Sequence, residues 1–502
     1  MDKFVLTMGP LSARKAACRA QEDYTLFTDS PQVMNSGGLP LAGPVEMVTL
    51  KPAGSDFTQG RVGERILRLA LPMMLAQLVN LLYSVVDRIY LGRLPGDGAL
   101  ALAGVGLVFP IITIITAFTN LCGTGGVPLF SIARGAGDDE RAASIQGNCL
   151  SLLLLLAAGI TAAGLLFKEP ILRLIGASPA TFVFADEYLT VYLCGTVFSM
   201  CGLGMNGFIG AQGFGTRGMM TVLLGAALNL VLDPLLIFTF GMGVRGAALA
   251  TVMAQACSAL WALAFLSGKK AVIRLRLQNL RPRLRIIGRT LALGVSGFTM
   301  AMTNSLIGAL YNITLQALGG DLYVSVMVII HSVQEIVQLP GHSLTQAAQP
   351  VLSYNYGAGR GDRVRRAFVF VSALSFALHL VCWAAVMLAP AQIIRVFNDD
   401  PALVEAGVRA VRAYFAVFFL LSLQGAGQCG FVALDKTRQA VFFSLLRKVV
   451  LILPCIFLFG YGMGLGADGI FYAEPVSHVL GSTVCFATFM LTVWRKLEKK
   501  PG

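Results

Sequence analysis

Twelve long apolar segments occupy almost the whole chain between residues 66 and 493. A helix needs about 20 mostly apolar residues to cross a bilayer, and each segment is long enough. Charged residues make up only 13% of the chain, where soluble domains carry about 25%. The sequence therefore predicts an all-α integral membrane protein. Its predicted spans are 66–91, 100–130, 144–167, 187–212, 218–240, 246–267, 290–317, 322–350, 367–388, 408–432, 440–460 and 467–493.

A basic segment, 268–289, separates the sixth predicted span from the seventh and contains no acid. The positive-inside rule places this inter-lobe loop in the cytoplasm. With an even number of spans on each side, both termini are expected there too, including a tail at 496–502, in the inner (cytoplasmic) membrane of the cell. Residues 1–57 lack a long apolar run and are predicted to be a disordered cytoplasmic extension.

The net charge of +13 lies between the apolar segments rather than on a folded basic domain. This distribution argues against a nucleic-acid partner and leaves membrane lipids as a partner of the basic loop.

The second half of the chain repeats short patterns of the first half at spacings between 221 and 224 residues. The recurring pairs are Asn80 and Asn304, Gly96-Asp97 and Gly320-Asp321, Gly135-Ala136-Gly137 and Gly357-Ala358-Gly359, Thr216-Arg217 and Thr437-Arg438, and Gly241-Met242-Gly243 and Gly462-Met463-Gly464. Tandem repeats are typical of secondary transporters. We therefore expect two pseudo-symmetric six-helix lobes, 58–267 and 290–495, with a cleft between them.

Two acids and two neutral polar residues are predicted at one depth of the first lobe. An ionisable group at the bilayer centre costs about 2.5–3.5 kcal/mol on insertion scales, so it calls for a partner or a function. Asp233 follows Asn229 by four residues and shares its helical face, while Asp87 and Thr251 lie at matching depths. These oxygens suit Na⁺, or a carboxylate pair that holds a proton.

A structural role is the alternative for these acids. Asp233 would then cap a kink at Pro234, and Asp87 would pair with Arg88. Adjacent helical residues point about 100° apart, however, which disfavours the second pairing.

The repeat provides an internal control for this site. The positions equivalent to Asp87, Asn229, Asp233 and Thr251 are Tyr311, Val450, Pro454 and Tyr472, none of which is a carboxylate. The ion site is therefore predicted in the first lobe alone.

Two acid–histidine pairs occur in the second half at a spacing of four residues. They are His331 with Glu335 and Glu474 with His478. Each pair can share a proton between carboxylate and imidazole, or simply form a polar lining of the cleft.

Motifs of enzymes and cofactor sites are not supported by the sequence. The cysteines form no CxxC pair, two GxGxxG matches do not follow a strand, and neither a Walker loop nor HExxH occurs. We therefore expect no enzymatic activity, no cofactor, and no metal beyond Na⁺. An ion gradient, of Na⁺ or H⁺, would then drive transport.

Three stretches resemble multidrug and toxic compound extrusion (MATE) transporters, of the branch that includes the staphylococcal-type and DNA-damage-inducible-type pumps. They are LALPMMLAQLVNLLYSVVDRIYLGRL, LNLVLDPLLIFTFGMGVRGAALATVMAQ and LPGHSLTQAAQPVLSYNYGAG. The resemblance covers about residues 58–495 and implies a V-shaped pair of bundles that expels amphipathic organic cations in exchange for Na⁺ or H⁺. Carried over by residue, the family's cation site falls on Asp87, Asn229, Asp233 and Thr251.

The resemblance also implies an alternating-access antiporter, expected here as a monomer that exports small cationic drugs. Predicted cavity residues are Gln255, Met73, Met205, Met300, Tyr311 and Met327. A lipid-linked oligosaccharide flippase of the same superfamily is the alternative, and it would need buried Arg or Lys for a pyrophosphate. The predicted spans present acids instead. A membrane-embedded enzyme is a further alternative, but no sequence motif supports it. A non-transporting receptor or a channel is another, and a transport assay would distinguish either from an exporter.

Overall fold

The computed structural model describes residues 56–94 and 98–498, and the regular elements in these ranges are helical. Those of the first half are α1 (Val62–Gly92), α2 (Gly98–Gly106), α3 (Phe109–Gly135), α4 (Asp139–Leu174), α5 (Pro179–Cys194), α6 (Thr196–Ala211), α7 (Gly215–Pro234) and α8 (Gly243–Ser267). Those of the second half are α9 (Leu284–Gly357), α10 (Gly361–Leu388), α11 (Pro390–Arg395), α12 (Pro401–Tyr414), α13 (Leu421–Ala433), α14 (Thr437–Gly462) and α15 (Gly466–Leu497).

Short π-helical turns interrupt or extend three of these helices. Leu235–Thr239 extends α7 beyond Pro234, while α14 contains Leu446–Ile452 and α15 contains His478–Ser482. A π turn admits one extra residue and changes the direction in which the following side chains point. Two of these turns lie beside charged side chains described below.

The number of spans agrees with the sequence prediction once breaks are counted. In the described ranges, nine helices are long and apolar enough to cross a membrane, or eleven if two bent pairs are each one span. Helix α9 is 74 residues long and is broken at Gly320, where the backbone has φ 67° and ψ −164°. Counting its two arms separately gives the predicted twelve, and Gly320 lies within the interval 318–321 where the sequence placed the break between the seventh and eighth spans.

The two bent pairs begin earlier than predicted, at Pro179 and Pro401 rather than near residues 187 and 408. Helices α5 and α6 meet at 57°, and α12 and α13 at 41°. The outer parts of these spans carry charges, which made them resemble loops. One such charge, Asp186, forms an ion pair with Lys168 at 2.8 Å.

The repeat is visible in the backbone as well as in the sequence. Gly137 and Gly359 each follow a long helix and adopt positive φ, 79° and 72°. Gly243 and Gly464 also adopt positive φ, 54° and 67°. These two pairs of equivalent glycines share a backbone conformation, whereas Gly241 has positive φ and its equivalent Gly462 does not. The turns are therefore similar without being identical, which supports the predicted fold of two related six-helix bundles.

The basic inter-lobe segment is fastened to the first half rather than forming a free loop. The Gln212 side-chain amide donates to the Ile273 carbonyl and accepts from the Ile273 N–H at 3.0 Å. The Arg283 N–H donates to Asn148 Oδ1 at 2.6 Å. The predicted loop, 268–289, is also too long, because its last six residues belong to α9. We call the end of the bundle where this segment lies the basic side.

The two halves contact each other closely near the basic side, where α3 packs against the first arm of α9. A Cβ atom at Gly125 would clash with the Thr290 carbonyl oxygen, and one at Gly294 would clash with the Leu121 backbone. Glycine is therefore required for the helices to approach this closely. We call this contact the seam.

A second contact near the basic side joins the chain before α1 to the second half. The Arg363 guanidinium donates to the carbonyl oxygens of Phe57, Gln59 and Gly60 at 3.0, 3.3 and 3.0 Å. Asn355 Nδ2 donates to the Phe57 carbonyl at 3.2 Å. We call residues 56–60 with their partners the N-terminal clamp.

Phe57 also corrects the predicted extension, 1–57. Its side chain is only 1% exposed and packs edge-on against the Tyr354 ring at 5.5 Å. The ordered chain thus includes the last two residues of the predicted extension, while residues 1–55 lie outside the described ranges. At the other end, α15 reaches Leu497, so the predicted tail begins within a helix.

Candidate cation site

Helix α7 carries two of the predicted site residues on one buried face. Asn229 and Asp233 are 3% and 1% exposed. Asn229 Nδ2 donates to Asp233 Oδ1 at 3.0 Å. The four-residue spacing makes this contact possible, because residues four apart in an α-helix are neighbours.

Asp87 on α1 completes a pair of carboxyl groups. It is 9% exposed, and its side chain is in hydrogen-bond contact with that of Asp233. Two ionised carboxylates repel each other, so carboxyl groups this close need either a proton shared between them or a cation between their oxygens. The alternative that Asp87 pairs with Arg88 concerns a side chain outside the described set.

Thr251 and Gln255 bring a third helix, α8, to the site. Asn229 Nδ2 lies 3.5 Å from Thr251 Oγ1, which joins all four predicted residues in one cluster. Gln255 lies one turn further along α8, and its Oε1 is buried without a hydrogen-bond partner among the described residues. The cluster therefore offers carboxyl, hydroxyl and amide oxygens, the donor set of a small hard cation.

Tyrosines that the sequence did not single out surround the carboxyl pair. The Tyr188 hydroxyl contacts Thr251, and the same residue is in electrostatic contact with Asp87. Tyr188 and Tyr192 are each 3% exposed and stack with ring centroids 6.2 Å apart. Tyr83 is also close to the pair. Only Tyr83 had a sequence signal, because it precedes Asp87 by four residues.

Several predicted cavity residues do not face open space. Met205 and Met327 are fully buried in hydrophobic cores, and Tyr311 is 1% exposed. Met73 packs partly buried against a core, whereas Met300 is 37% exposed. Apolar residues in a span serve equally well as core or as cavity lining, so composition alone did not separate the two roles. In this structure Met300 remains the best placed of the five.

The second half contains a buried charge cluster around Glu474. Lys448 Nζ lies 2.9 Å from Glu474 Oε1, and Arg447 Nη1 lies 3.2 Å from Oε2. His478 Nε2 lies 3.4 Å from Oε2. The predicted Glu474–His478 contact exists, but the carboxylate is engaged by two cations as well. We call Arg447, Lys448, Glu474 and His478 the basic cluster.

The basic cluster overturns the expectation that the buried charges of the spans are acids. Arg447 and Lys448 lie within the eleventh predicted span, 440–460, and both are 7% exposed. The spans therefore contain buried cations as well as acids. The sequence signal for them is a pair of adjacent basic residues inside an apolar segment.

The other predicted acid–histidine pair is not drawn together in the same way. Glu335 is exposed, and the structure gives it no ion pair with His331, although both side chains are described. His331 is half-buried and contacts Gln334, which accepts a hydrogen bond from the Tyr414 hydroxyl at 3.1 Å. The four-residue spacing thus puts His331 and Glu335 on the same helix, but their side chains form no ion pair.

Comparisons with known proteins agree with this fold. The multidrug export protein MepA of Staphylococcus haemolyticus is 25% identical over 438 residues, which cover 87% of this chain and 94% of that protein. MepA of Staphylococcus aureus is 23% identical over 444 residues, with 87% and 95% covered. A solved structure from Pyrococcus furiosus, described as a MOP superfamily transporter whose reverse binding-pocket polarity suggests a different function, is 25% identical. Its TM-score is 0.83, and the aligned residues cover 89% of this chain and 99% of the Pyrococcus furiosus chain.

A second solved structure shows the outward-facing conformation of a multidrug resistance MATE family transporter of the MOP superfamily. Its TM-score is 0.82 at 24% identity, and the aligned residues cover 89% of this chain and 99% of that chain. The sequence model of the MatE family matches residues 72–235 and 296–466, which together include both halves of the repeat and most of the chain. The chain belongs to the MatE family.

Proposed function

We propose that the protein is a secondary active multidrug exporter that expels amphipathic organic cations in exchange for Na⁺ or H⁺. The observation that carries this proposal is the buried contact between the carboxyl groups of Asp87 and Asp233, with Asn229 and Thr251 beside them. The relatives named multidrug export proteins match 87% of the chain, which supports the choice of cargo.

The carboxyl pair supplies the exchange chemistry. With a proton or Na⁺ bound, the pair is electrically compensated and α1 can pack against α7. Without that cation, two carboxylates repel each other, and α1 is driven away from α7. A ligand shifts a conformational equilibrium only by its differential affinity for the two states, and this repulsion provides such a difference.

The seam and the N-terminal clamp support an arrangement in which the halves are closed at the basic side. With the basic segment in the cytoplasm, this conformation opens outward, and both described ends of the chain lie on the cytoplasmic side of the inner membrane. We further propose that the protein acts as a monomer without enzymatic activity or a resident cofactor, and that it contacts membrane lipids but no nucleic acid.

A lipid-linked oligosaccharide flippase is the second candidate, and Arg447 with Lys448 is the observation that favours it. These cations are what a pyrophosphate would need, so the sequence-based objection no longer holds. Glu474 neutralises one of the two charges, however, and the relatives are named exporters. We therefore retain export as the proposed function.

The test is ethidium efflux from proteoliposomes, with a Na⁺ gradient and a pH gradient imposed separately. We expect one of the two gradients to drive efflux and Asp233→Asn to abolish that response. Asp321→Asn is the matched control, since Asp321 lies at the break in α9 and is hydrogen-bonded by Gln316. Efflux that responds to neither gradient, or that survives Asp233→Asn unchanged, would refute antiport at this site.

A further inference from the structure

The two cations of the basic cluster lie close to the middle of helix α14, within a π turn. Arg447 and Lys448 are adjacent residues within the π turn Leu446–Ile452. Adjacent residues of a regular α-helix point about 100° apart and do not share a partner. Here both contact the Glu474 carboxylate, at 3.2 and 2.9 Å. π turns occur often at functional sites, and both cations that contact this carboxylate lie within one.

The formal charges of the cluster do not cancel. Arg447 and Lys448 provide two positive charges against the single negative charge of Glu474. The other titratable residues around the two cations and the carboxylate are His331, His379, His478, Tyr311, Tyr414 and Cys485, and none of them carries a carboxylate. The exposed Glu335 interacts with His331, and it forms no ion pair with either cation. An excess positive charge inside a bilayer is costly unless an anion accompanies it.

Buried polar groups beside the cluster also lack partners. The Tyr311 hydroxyl, His478 Nδ1 and Ser482 Oγ are buried and accept or donate no hydrogen bond among the described residues. Tyr311 is 1% exposed and is in electrostatic contact with Glu474 and Arg447. Buried polar groups are nearly always hydrogen-bonded, so unused groups around an excess positive charge indicate a ligand with acceptor atoms.

The two cations are also not completely enclosed. The side chains of Arg447 and Lys448 keep 8% and 9% of their surface exposed, whereas Glu474 keeps 1%. A ligand can therefore approach the cations without first separating them from the carboxylate. Arginine beside lysine suits an oxyanion, because guanidinium and ammonium groups form charge-assisted hydrogen bonds to carboxylate oxygens.

We propose that Arg447 and Lys448 form a binding site for the carboxylate of an amphipathic substrate. This inference rests on the proposed function, since it names the residues of that exporter that would bind the carboxylate of a zwitterionic or acidic cargo. Lys448 donates to one carboxylate oxygen and Arg447 to the other, while Glu474 keeps the two cations together. The first half then handles the coupling cation and the second half the acidic end of the cargo.

The test compares norfloxacin, which carries a carboxylate, with its ethyl ester, which does not. Equilibrium binding of both to the purified protein is measured in nanodiscs of zwitterionic lipid. We expect the acid to bind about tenfold more tightly than the ester, as one good charge-assisted contact allows. Lys448→Gln should remove this preference, and Lys436→Gln, a change in the turn before α14, should leave it intact. Equal binding of acid and ester to the unaltered protein would overturn the proposal.

Further experiments distinguish a binding role of the two cations from a purely structural one. Arg447→Lys keeps the charge and should retain most of the preference for the acid, which a protein that has lost its fold would not. If Lys448→Gln weakens acid and ester equally, the cluster only holds the second half together and the proposal fails. If nanodiscs with phosphatidylglycerol abolish the preference, the site belongs to a lipid phosphate and the proposal also fails. Because binding needs no gradient, failure of antiport leaves this result interpretable.

Discussion

The acid pair and the basic cluster occupy related helices of the two halves but have opposite charge. In the first half α7 and α8 present Asp233 and Thr251 towards Asp87 of α1. In the second half α14 and α15 present Arg447, Lys448 and Glu474. The residue equivalent to Asp87 is Tyr311, which lies beside the cluster. The repeat thus kept the order of the helices, while the buried charges and the local backbone of α7 and α14 diverged. Each half can therefore bind a different ligand during the transport cycle.

The largest effect is expected where a carboxylate is removed from two cations. Glu474→Gln leaves Arg447 and Lys448 buried without their counter-charge, and breaking a buried ion pair costs about 3–5 kcal/mol. We expect a marked fall in the melting temperature of the detergent-purified protein.

Asp233→Asn is the matched change in the other half. The amide that it introduces can still hydrogen-bond to Asn229 and Asp87, and the need for a shared proton or cation disappears. The change in the free energy of unfolding should therefore stay within about 1 kcal/mol. If both variants lost a similar free energy of unfolding, the carboxylate of Glu474 would be no more important for stability than that of Asp233, contrary to the difference in their partners.

The residues of the acid pair could be predicted because each has a local signal. A carboxyl group inside an apolar segment is conspicuous, and the spacing of Asn229 and Asp233 fixes their common face. Asp87 and Thr251 could be added because their positions along their own predicted spans place them at the same depth in the membrane. Tyr188 had no such signal, because an aromatic residue in a span is ordinary and only helix packing puts its hydroxyl beside Thr251.

The fold was predictable to the level of span number and repeat, but its irregular parts were not. Charged outer turns concealed the beginnings of α5 and α12, and nothing in the composition of residues 318–321 indicates that α9 resumes directly after Gly320. Three of the four acceptors of Arg363 are backbone carbonyl groups, which every residue carries and no sequence pattern reveals; the fourth is Asn355 Oδ1. The cations of the basic cluster, by contrast, are as conspicuous in an apolar segment as the acids are.

The seam tests whether the two halves act together. Gly125→Ala places a Cβ against the Thr290 carbonyl oxygen, and overpacking of this kind costs about 1–3 kcal/mol. We expect a lower melting temperature and slower gradient-driven efflux, because the closed basic side can no longer form. Gly123→Ala, two residues earlier, meets open space and should resemble the unaltered protein. Equal behaviour of both variants would mean that the halves are coupled elsewhere.

The most local effect is expected at the N-terminal clamp, which connects the chain before α1, the helix of Asp87, to the second half. Arg363→Gln removes a guanidinium that donates to three carbonyl groups, with a net loss of about 1.5–3 kcal/mol spread over a short segment. Trypsin should then cut after the exposed Arg61 several-fold faster, measured by mass spectrometry of the purified protein. Arg412→Gln, an exposed position on α12 away from the pocket that Gly60, Arg61 and Arg363 line, is the control and should leave that rate unchanged. Arg363→Lys should give an intermediate rate, because an ammonium group keeps the charge but cannot reproduce the fork of donors that reaches carbonyl groups of several residues at once. A rate unaffected by Arg363→Gln would mean that the guanidinium does not hold residues 56–60 against the second half. The two halves would then be joined by the seam and by the hydrogen bonds of Gln77 on α1 with Ser343 and Gln346 on α9.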